Sequence, residues 1–304
     1  MTEATGDDGI PICDAHHHLW DLDHYHYPWL SDSHDDFFLG DRSSLKRNYL
    51  PPDYRRDSTG LNVLKTVHVE AEYRRDDQVG ETRWVTSMAE RHGLPNAIVA
   101  HCWFHTPNSE AVMAAQAAFP LVRGIRSKPV TASRPRESVA GEAGAMDDPN
   151  WLAGLQRLKS YGLSWDLRVP PWHLEEAARV VAQIPDTPVV LNHTGFPWYR
   201  YNEGLEVWRR GMRALAALPN VHCKLSCLCT LDGWPYEENR MAVLETIDMF
   251  GTGRCMFASN FPVDSLRIGY GRMYAHFQRM VADFPAEERQ ALFHDNAVRF
   301  YRLA

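Results

Sequence analysis

Several patterns are missing from this sequence of 304 residues. No apolar run approaches the ~20 residues that a membrane-spanning helix needs. No cluster of lysine and arginine occurs, and the formal net charge is −7 at pH 7, so neither a membrane nor a nucleic acid is expected as a partner. The opening residues, "MTEATGDDGIPIC", have no basic segment followed by an apolar one, so no signal peptide is predicted. A small molecule remains the expected partner, and association into a homo-oligomer stays open.

Cysteine motifs are absent as well. The six cysteines form no CxxC pair, so neither a zinc knuckle nor a redox motif is indicated. Most of them lie in apolar, strand-like runs, and we expect buried, reduced thiols and a cytoplasmic location.

What the sequence does contain is an alternation of strand-like and helix-like segments. "DDPNWLAGLQRLKSYGL", for example, has an aspartate cap before Pro149 and ends at Gly162. Alternating strands and helices pair in parallel, because each helix crosses over a face of the sheet. Eight such units in about 300 residues predict one domain over residues 1–304, a (β/α)8 or TIM barrel. The predicted strands are residues 10–19, 65–73, 97–104, 121–128, 163–169, 188–195, 221–227 and 255–262.

Four segments that follow predicted strands are longer than barrel connections require. Active sites of such barrels are built at the face where the strands end. We therefore expect these long loops to wall a substrate site at the C-terminal face. They are residues 20–60, 129–147, 196–204 and 230–238.

Three consecutive histidines occur in the first predicted strand. Side chains alternate along a strand, so His16 and His18 should point to one side and His17 to the other. A pair of imidazoles suits the binding of one metal ion or of one polarised oxygen. The histidines expected only to pack against aromatic residues or to face solvent are His17, His24, His26 and His34.

Charged or ligating side chains also lie near the ends of most other predicted strands, as in a barrel active site. Glu70 has apolar neighbours, so its carboxylate needs a partner. An ion pair with a neighbouring arginine or lysine is the structural alternative to a catalytic role. The set comprises Glu70, Arg126, Asp166, Arg168, His193, Lys224 and Asn260.

With these residues identified, the sequence resembles the amidohydrolase superfamily. The similarity is to the amidohydrolase-related branch that contains sugar-lactone and 2-pyrone-4,6-dicarboxylate lactonases. It implies a barrel hydrolase that opens a lactone, or a related cyclic or activated ester, of a small carboxylated or polyhydroxylated substrate. The matching motifs follow the family's order across nearly the whole length: "DAHHHLW", "VHVEAEY", "LVRGIR", "VVLNHTG", "MFASNFPVD" and "LFHDNAVRFYRL".

The departures from the family pattern concern the metal and the base. Arg126 and Asp166 stand where two-metal members carry other ligands, so a binuclear site is not expected. The usual aspartate of the eighth strand is Asn260, whose amide cannot take a proton. The base must then be another carboxylate, Glu70 or Asp166, with Asp264 as a weaker third candidate.

The resemblance implies roles for the remaining residues. His16, His18 and His193 surround the reacting carbonyl oxygen, either as hydrogen-bond donors or by holding one divalent ion. Zinc with Glu70 as the fourth ligand is the natural ion, but related lactonases work without metal, and the question stays open. Asn260 orients substrate or water. The predicted substrate contacts are Arg126, Arg168, Lys224 and Asp264.

Two other functions remain as alternatives. One is a metal-dependent decarboxylase or amidase acting on an aromatic or heterocyclic acid, against which Asn260 counts. The other is a catalytically inactive barrel that only binds a ligand, which the loss of the aspartate would allow.

Overall fold

The computed structural model describes residues 9–32, 37–200 and 202–304. Residues 1–8 and His34, for which the sequence made predictions, lie outside these ranges. Within them, eight parallel strands pair with one another in chain order, and each overlaps a predicted strand. The strands are β1 (Ile12–His17), β2 (Val63–Val69), β3 (Ala97–Ala100), β4 (Val122–Ile125), β5 (Ser164–Leu167), β6 (Val189–Leu191), β7 (Val221–Leu225) and β8 (Cys255–Phe257).

The first and last strands meet and nearly close the sheet. The backbone N–H of Asn260 donates to the carbonyl oxygen of His16 at 2.7 Å, and that of His18 donates to the carbonyl oxygen of Phe261 at 2.7 Å. His17 and Phe261 form a parallel bridge beside these bonds. The predicted (β/α)8 barrel is confirmed.

Helices cover the outside of the sheet. The helix that starts at Pro149 begins as the sequence predicts, because the Asp148 carboxylate accepts the backbone N–H of Asn150 at 2.9 Å. No helix in the described ranges is long and apolar enough to cross a membrane. The helices are α1 (Pro28–Ser31), α2 (Pro51–Asp57), α3 (Gly80–His92), α4 (Ser109–Ala117), α5 (Pro149–Arg157), α6 (Leu174–Val181), α7 (Asn202–Ala216), α8 (Tyr236–Phe250), α9 (Tyr270–Met280), α10 (Ala286–Gln290) and α11 (Asn296–Tyr301).

The segment 20–60, predicted as a loop, contains regular structure. Helix α2 forms there because Pro51 occupies its first turn and the Asp53 carboxylate accepts the N–H of Leu50 at 3.0 Å. A bridge between Trp20 and Tyr49 ties the segment back to the end of β1. The segment is therefore anchored at both ends beside the barrel mouth.

The strand side chains divide between two sides of the sheet. Outward-facing residues pack beneath the helices, whereas inward-facing residues form a separate apolar cluster. The C-terminal segment packs against this inner cluster through Phe300 and Tyr301. Inward-facing polar residues such as Asp166 and Lys224 are thereby withdrawn from solvent.

Strand β1 does not alternate regularly. Cys13 belongs to the inner cluster, so strict alternation would also turn His17 inward. The pairing of β1 with β2 shifts register between Asp14 and His17, and this irregularity brings His16 inward instead. His16 and His18 do point to the same side, as the sequence predicted, but plain alternation is not the reason.

Candidate active site

The barrel interior opens at the ends of the strands into a cavity of about 230 Å³. Five predicted site residues line it, each from a different strand end: His18, Arg126, Arg168, His193 and Asn260. His16 and Glu70 contact this lining from beneath. Three others are fully buried and do not line the cavity: Asp166, Lys224 and Asp264.

Aromatic side chains complete the wall. Trp29, Phe37 and Phe38 come from the segment 20–60, and Phe196 comes from the segment after β6. Of the four long segments predicted to wall the site, 20–60 and 196–204 therefore border this cavity, whereas no described residue of 129–147 or 230–238 lines it. The two bordering segments enclose a polar floor with apolar rings, which is the usual composition of a small-molecule site.

The three histidines lie side by side. His16 Nε2 and His18 Nε2 are 3.3 Å apart, and the rings of His16 and His193 have centroids 4.6 Å apart. His18 Nδ1 must be protonated, because it donates to the carbonyl oxygen of Val69 at 2.7 Å. His193 Nδ1 lies 3.1 Å from the hydroxyl of Ser226.

All three imidazoles are held in the neutral state. Burial lowers the pKa of each ring well below its ordinary value. Nearby cations add to the effect: Lys224 for His16, Arg126 for His18 and Arg168 for His193. A neutral imidazole carries one N–H and one lone pair, so each ring can donate and accept.

Glu70 is engaged in an ion pair. Its carboxylate receives Arg126 Nε at 2.5 Å and the backbone N–H of Glu72 at 2.9 Å, and Lys128 Nζ lies 3.5 Å away. Burial alone would raise the pKa of Glu70, but Arg126 and Lys128 outweigh it and hold the pKa well below its usual range. The structural alternative predicted for Glu70, pairing with a neighbouring cation, is what the structure shows.

Asp166 and Lys224 form a second buried pair. Lys224 Nζ lies 2.6 Å from Asp166 Oδ2, and both side chains are 0% exposed. The same carboxylate accepts from Asn192 Nδ2 at 3.0 Å and from the hydroxyl of Tyr301 at 3.0 Å. This network links β5, β6, β7 and the C-terminal helix beneath the cavity.

Asn260 and Asp264 form a third polar pair. Asn260 Nδ2 donates to Asp264 Oδ1 at 2.7 Å, which turns the amide oxygen of Asn260 away from Asp264. The other carboxylate oxygen of Asp264 is buried without a partner in the described part of the chain. Burial raises the pKa of Asp264 to about 7.

Arg168, which is half-buried, differs from the buried cations Arg126 and Lys224. Its guanidinium makes no ion pair or hydrogen bond with a described residue and lies 5.1 Å above the ring centroid of Phe196. Burial and the nearby Arg126 lower its pKa to about 10, so it stays charged at neutral pH. An unpaired cation at a cavity wall is available to a ligand.

Two of the site residues missed from the sequence follow strand ends. Lys128 lines the cavity and contacts Glu72, and Ser226 holds His193. Each lies two residues beyond a predicted site residue, Arg126 or Lys224. Side-chain alternation would have identified both as facing the same way as those residues.

Comparison with known proteins identifies the family. A family model described as amidohydrolase matches residues 13–303. The chain belongs to the amidohydrolase family. The resemblance seen in the sequence motifs is confirmed.

Similar proteins span nearly the whole of this amidohydrolase. The Sinorhizobium fredii protein y4mH is 37% identical over 295 residues, covering 97% of this chain and 99% of that protein. The L-fucono-1,5-lactonase of Burkholderia ambifaria is 28% identical over 296 residues, covering 95% of each. An amidohydrolase from Burkholderia multivorans, crystallised with bound zinc, has a TM-score of 0.79 at 26% identity, covering 96% of this chain and 99% of that one.

The three imidazoles of this amidohydrolase have no free carboxylate beside them, among the described residues, to complete a metal site. Within the described ranges, no group of three or more His, Cys, Asp or Glu side chains is placed to hold one. Arg126 Nη1 lies 3.4 Å from His16 Nε2, and the Glu70 carboxylate is already paired. An ion at His16 would meet a guanidinium and no free carboxylate, which electrostatics disfavours.

Lys224→Met should lower the free energy of unfolding by about 3–5 kcal/mol, because it leaves the buried Asp166 carboxylate without its cation. Combining it with Asp166→Asn should recover part of the loss, since no unpaired charge remains. Urea unfolding of both variants measures the difference. Equal instability of the single and double variants would contradict the ion-pair role.

Proposed function

We propose that this amidohydrolase hydrolyses lactones of small polyhydroxylated or carboxylated acids. The observation that carries the proposal is the unpaired guanidinium of Arg168, which faces the cavity beside Arg126 and three neutral histidines. Such a site is suited to an oxygen that gains negative charge during reaction. The similarity to proteins named as L-fucono-1,5-lactonases supports a sugar lactone as the substrate class.

Carbonyl polarisation is assigned to the cations. Arg126 is fixed in place by Glu70 and has its outer nitrogen near His16, and Arg168 approaches from the neighbouring strand end. Donors that are already oriented need no rearrangement as the tetrahedral oxyanion forms. Their planar guanidinium groups also suit a substrate carboxylate, where one is present.

Proton removal from the attacking water is assigned to His193. Glu70 and Asp166, the carboxylates favoured from the sequence, are both occupied by cation partners. His193 lines the cavity, and its Nδ1 lies beside Ser226. With Nδ1–H donating to that hydroxyl, Nε2 keeps a lone pair that takes the water proton. The imidazolium returns this proton to the ring oxygen as the bond between that oxygen and the carbonyl carbon breaks.

Asn260 is assigned to orientation. Because its Nδ2 donates to Asp264, its amide oxygen accepts a hydrogen bond from water or from a substrate hydroxyl. No step needs a metal ion. The six free and buried thiols support a reducing, cytoplasmic setting for the enzyme.

Purified enzyme should open L-fucono-1,5-lactone or another sugar lactone, with acid release followed by a pH indicator. Arg168→Met should lower kcat/KM about 10²-fold, the effect of losing one oxyanion donor. Arg240→Met, at an exposed position on α8, is the matched control and should be unaffected. Carbon dioxide release without lactone opening would favour a decarboxylase, and binding without turnover would favour an inactive barrel.

The pH profile distinguishes the candidate bases. A base acts in its deprotonated form, so kcat/KM falls as the pH drops through its pKa. Since the pKa of His193 lies well below 6.5, kcat/KM should fall only below that pH, and Asp264→Asn should keep the same profile. A fall near pH 7 that disappears in Asp264→Asn would assign the base to Asp264, whose pKa is about 7.

Removal of metal should leave the lactonase activity unchanged, because the guanidinium groups polarise the carbonyl without an ion. The measurement is kcat/KM before and after dialysis against a chelator, with metal analysis of both samples. Loss of activity that zinc restores would overturn the metal-free assignment.

A further inference from the structure

A second cavity adjoins the reaction cavity. Its volume is about 580 Å³, and it lies between the segments that follow β6 and β7. Phe38 and Cys227 line both cavities. A molecule seated over Arg168 and His193 can therefore extend past these two side chains into the second space, which we call the distal cavity.

The sizes of the two spaces indicate a substrate larger than one ring. The reaction cavity, at about 230 Å³, is smaller than the ~300–1,000 Å³ that is usual for small-molecule sites. The distal cavity, at about 580 Å³, falls within that range. A lactone ring fills the first space, and the second is left for a substituent.

The walls of the distal cavity combine aromatic rings with polar groups. Trp198 and Trp234 line it with aromatic rings. Asp232, Glu238 and Thr230 add oxygen atoms. Carboxylates need hydrogen-bond donors, and a hydroxyl group supplies one.

The charge of the distal cavity excludes an acidic substituent. The one arginine among the described residues that line it, Arg200, donates to the side chain of Asn239 and to the carbonyl oxygen of Leu228 and is 3.8 Å from Glu238. With Asp232 added, the carboxylates outnumber the cation. The reaction cavity, by contrast, is rich in arginine and lysine. A neutral, hydroxyl-bearing ring suits the distal cavity.

We propose that the distal cavity binds a second sugar unit, joined by a glycosidic bond to the sugar acid whose lactone is opened. The substrate is then an aldobionolactone, a disaccharide that ends in a lactone ring. Trp198 and Trp234 offer faces on which a sugar ring stacks, and the carboxylates accept its hydroxyl protons. This inference rests on the proposed lactonase function.

The test compares lactones that share one reacting ring. Cellobiono-1,5-lactone and lactobiono-1,5-lactone carry a second hexose on the ring of glucono-1,5-lactone. We expect kcat/KM for at least one of them to exceed that of glucono-1,5-lactone by about tenfold, because contacts of the second sugar should tighten binding by about that factor. L-fucono-1,5-lactone is assayed in parallel as an unsubstituted sugar lactone.

Variants locate the effect in the distal cavity. Trp234→Ala should remove the preference by raising KM for the glycosylated lactone and should leave hydrolysis of the unsubstituted lactone unchanged. Trp103→Ala is the control and should keep the preference, because Trp103 lines a third cavity that meets the reaction cavity at Glu72, Lys128 and Arg168. Where Trp234→Ala does not fold, Asp232→Ala at an exposed position serves instead, with the same expected loss.

The outcomes separate the two proposals. Hydrolysis of unsubstituted lactones alone, or at equal kcat/KM with the glycosylated ones, overturns the distal sugar site and leaves the lactonase function in place. A preference that survives Trp234→Ala and Asp232→Ala also overturns it. Absence of hydrolysis of every lactone removes the proposed function itself.

Discussion

The contact between the first and last strands is the constraint on which the rest of the site depends. Two backbone hydrogen bonds close the barrel there, from Asn260 to His16 and from His18 to Phe261. His16, His18 and Asn260, which lie at this contact, are thus residues of the candidate site. Barrel closure brings His16 and His18 next to Asn260, which follows β8. Side chains on strands are held more rigidly than side chains on loops.

Charge pairing around this contact decides which side chains remain available to a substrate. A buried charge without a partner costs several kcal/mol. The interior avoids this cost with two ion pairs, between Glu70 and Arg126 and between Asp166 and Lys224. Both carboxylates that the sequence favoured as bases are therefore bound by cations. Arg168 has only an aromatic face beside it. The site is left with neutral imidazoles and spare positive charge, which suits a carbonyl oxygen that becomes negative.

Much of this arrangement could be predicted because it depends on short stretches of chain. The strands and their order follow from local apolar patterns, and the end of each strand marks the face where His18, Arg126 and His193 meet. Lys128 and Ser226 were within reach of the same reasoning, since each lies two residues beyond a predicted site residue. The catalytic base could not be predicted by that reasoning. Whether Glu70 or Asp166 can take a proton depends on cations from other strands. A local sequence pattern does not predict the distance between each carboxylate and those cations.

The sequence by itself determined the barrel, the face that holds the site, the family and the absence of an aspartate at position 260. Each of these follows from the identity of single residues or from a periodicity of a few residues. The tertiary structure alone decided that His16 turns inward through an irregularity in β1, that Glu70 forms an ion pair with Arg126, and that a second cavity opens beside the first. These depend on distances between residues far apart in the chain, where Coulomb attraction and packing act through space rather than along the backbone.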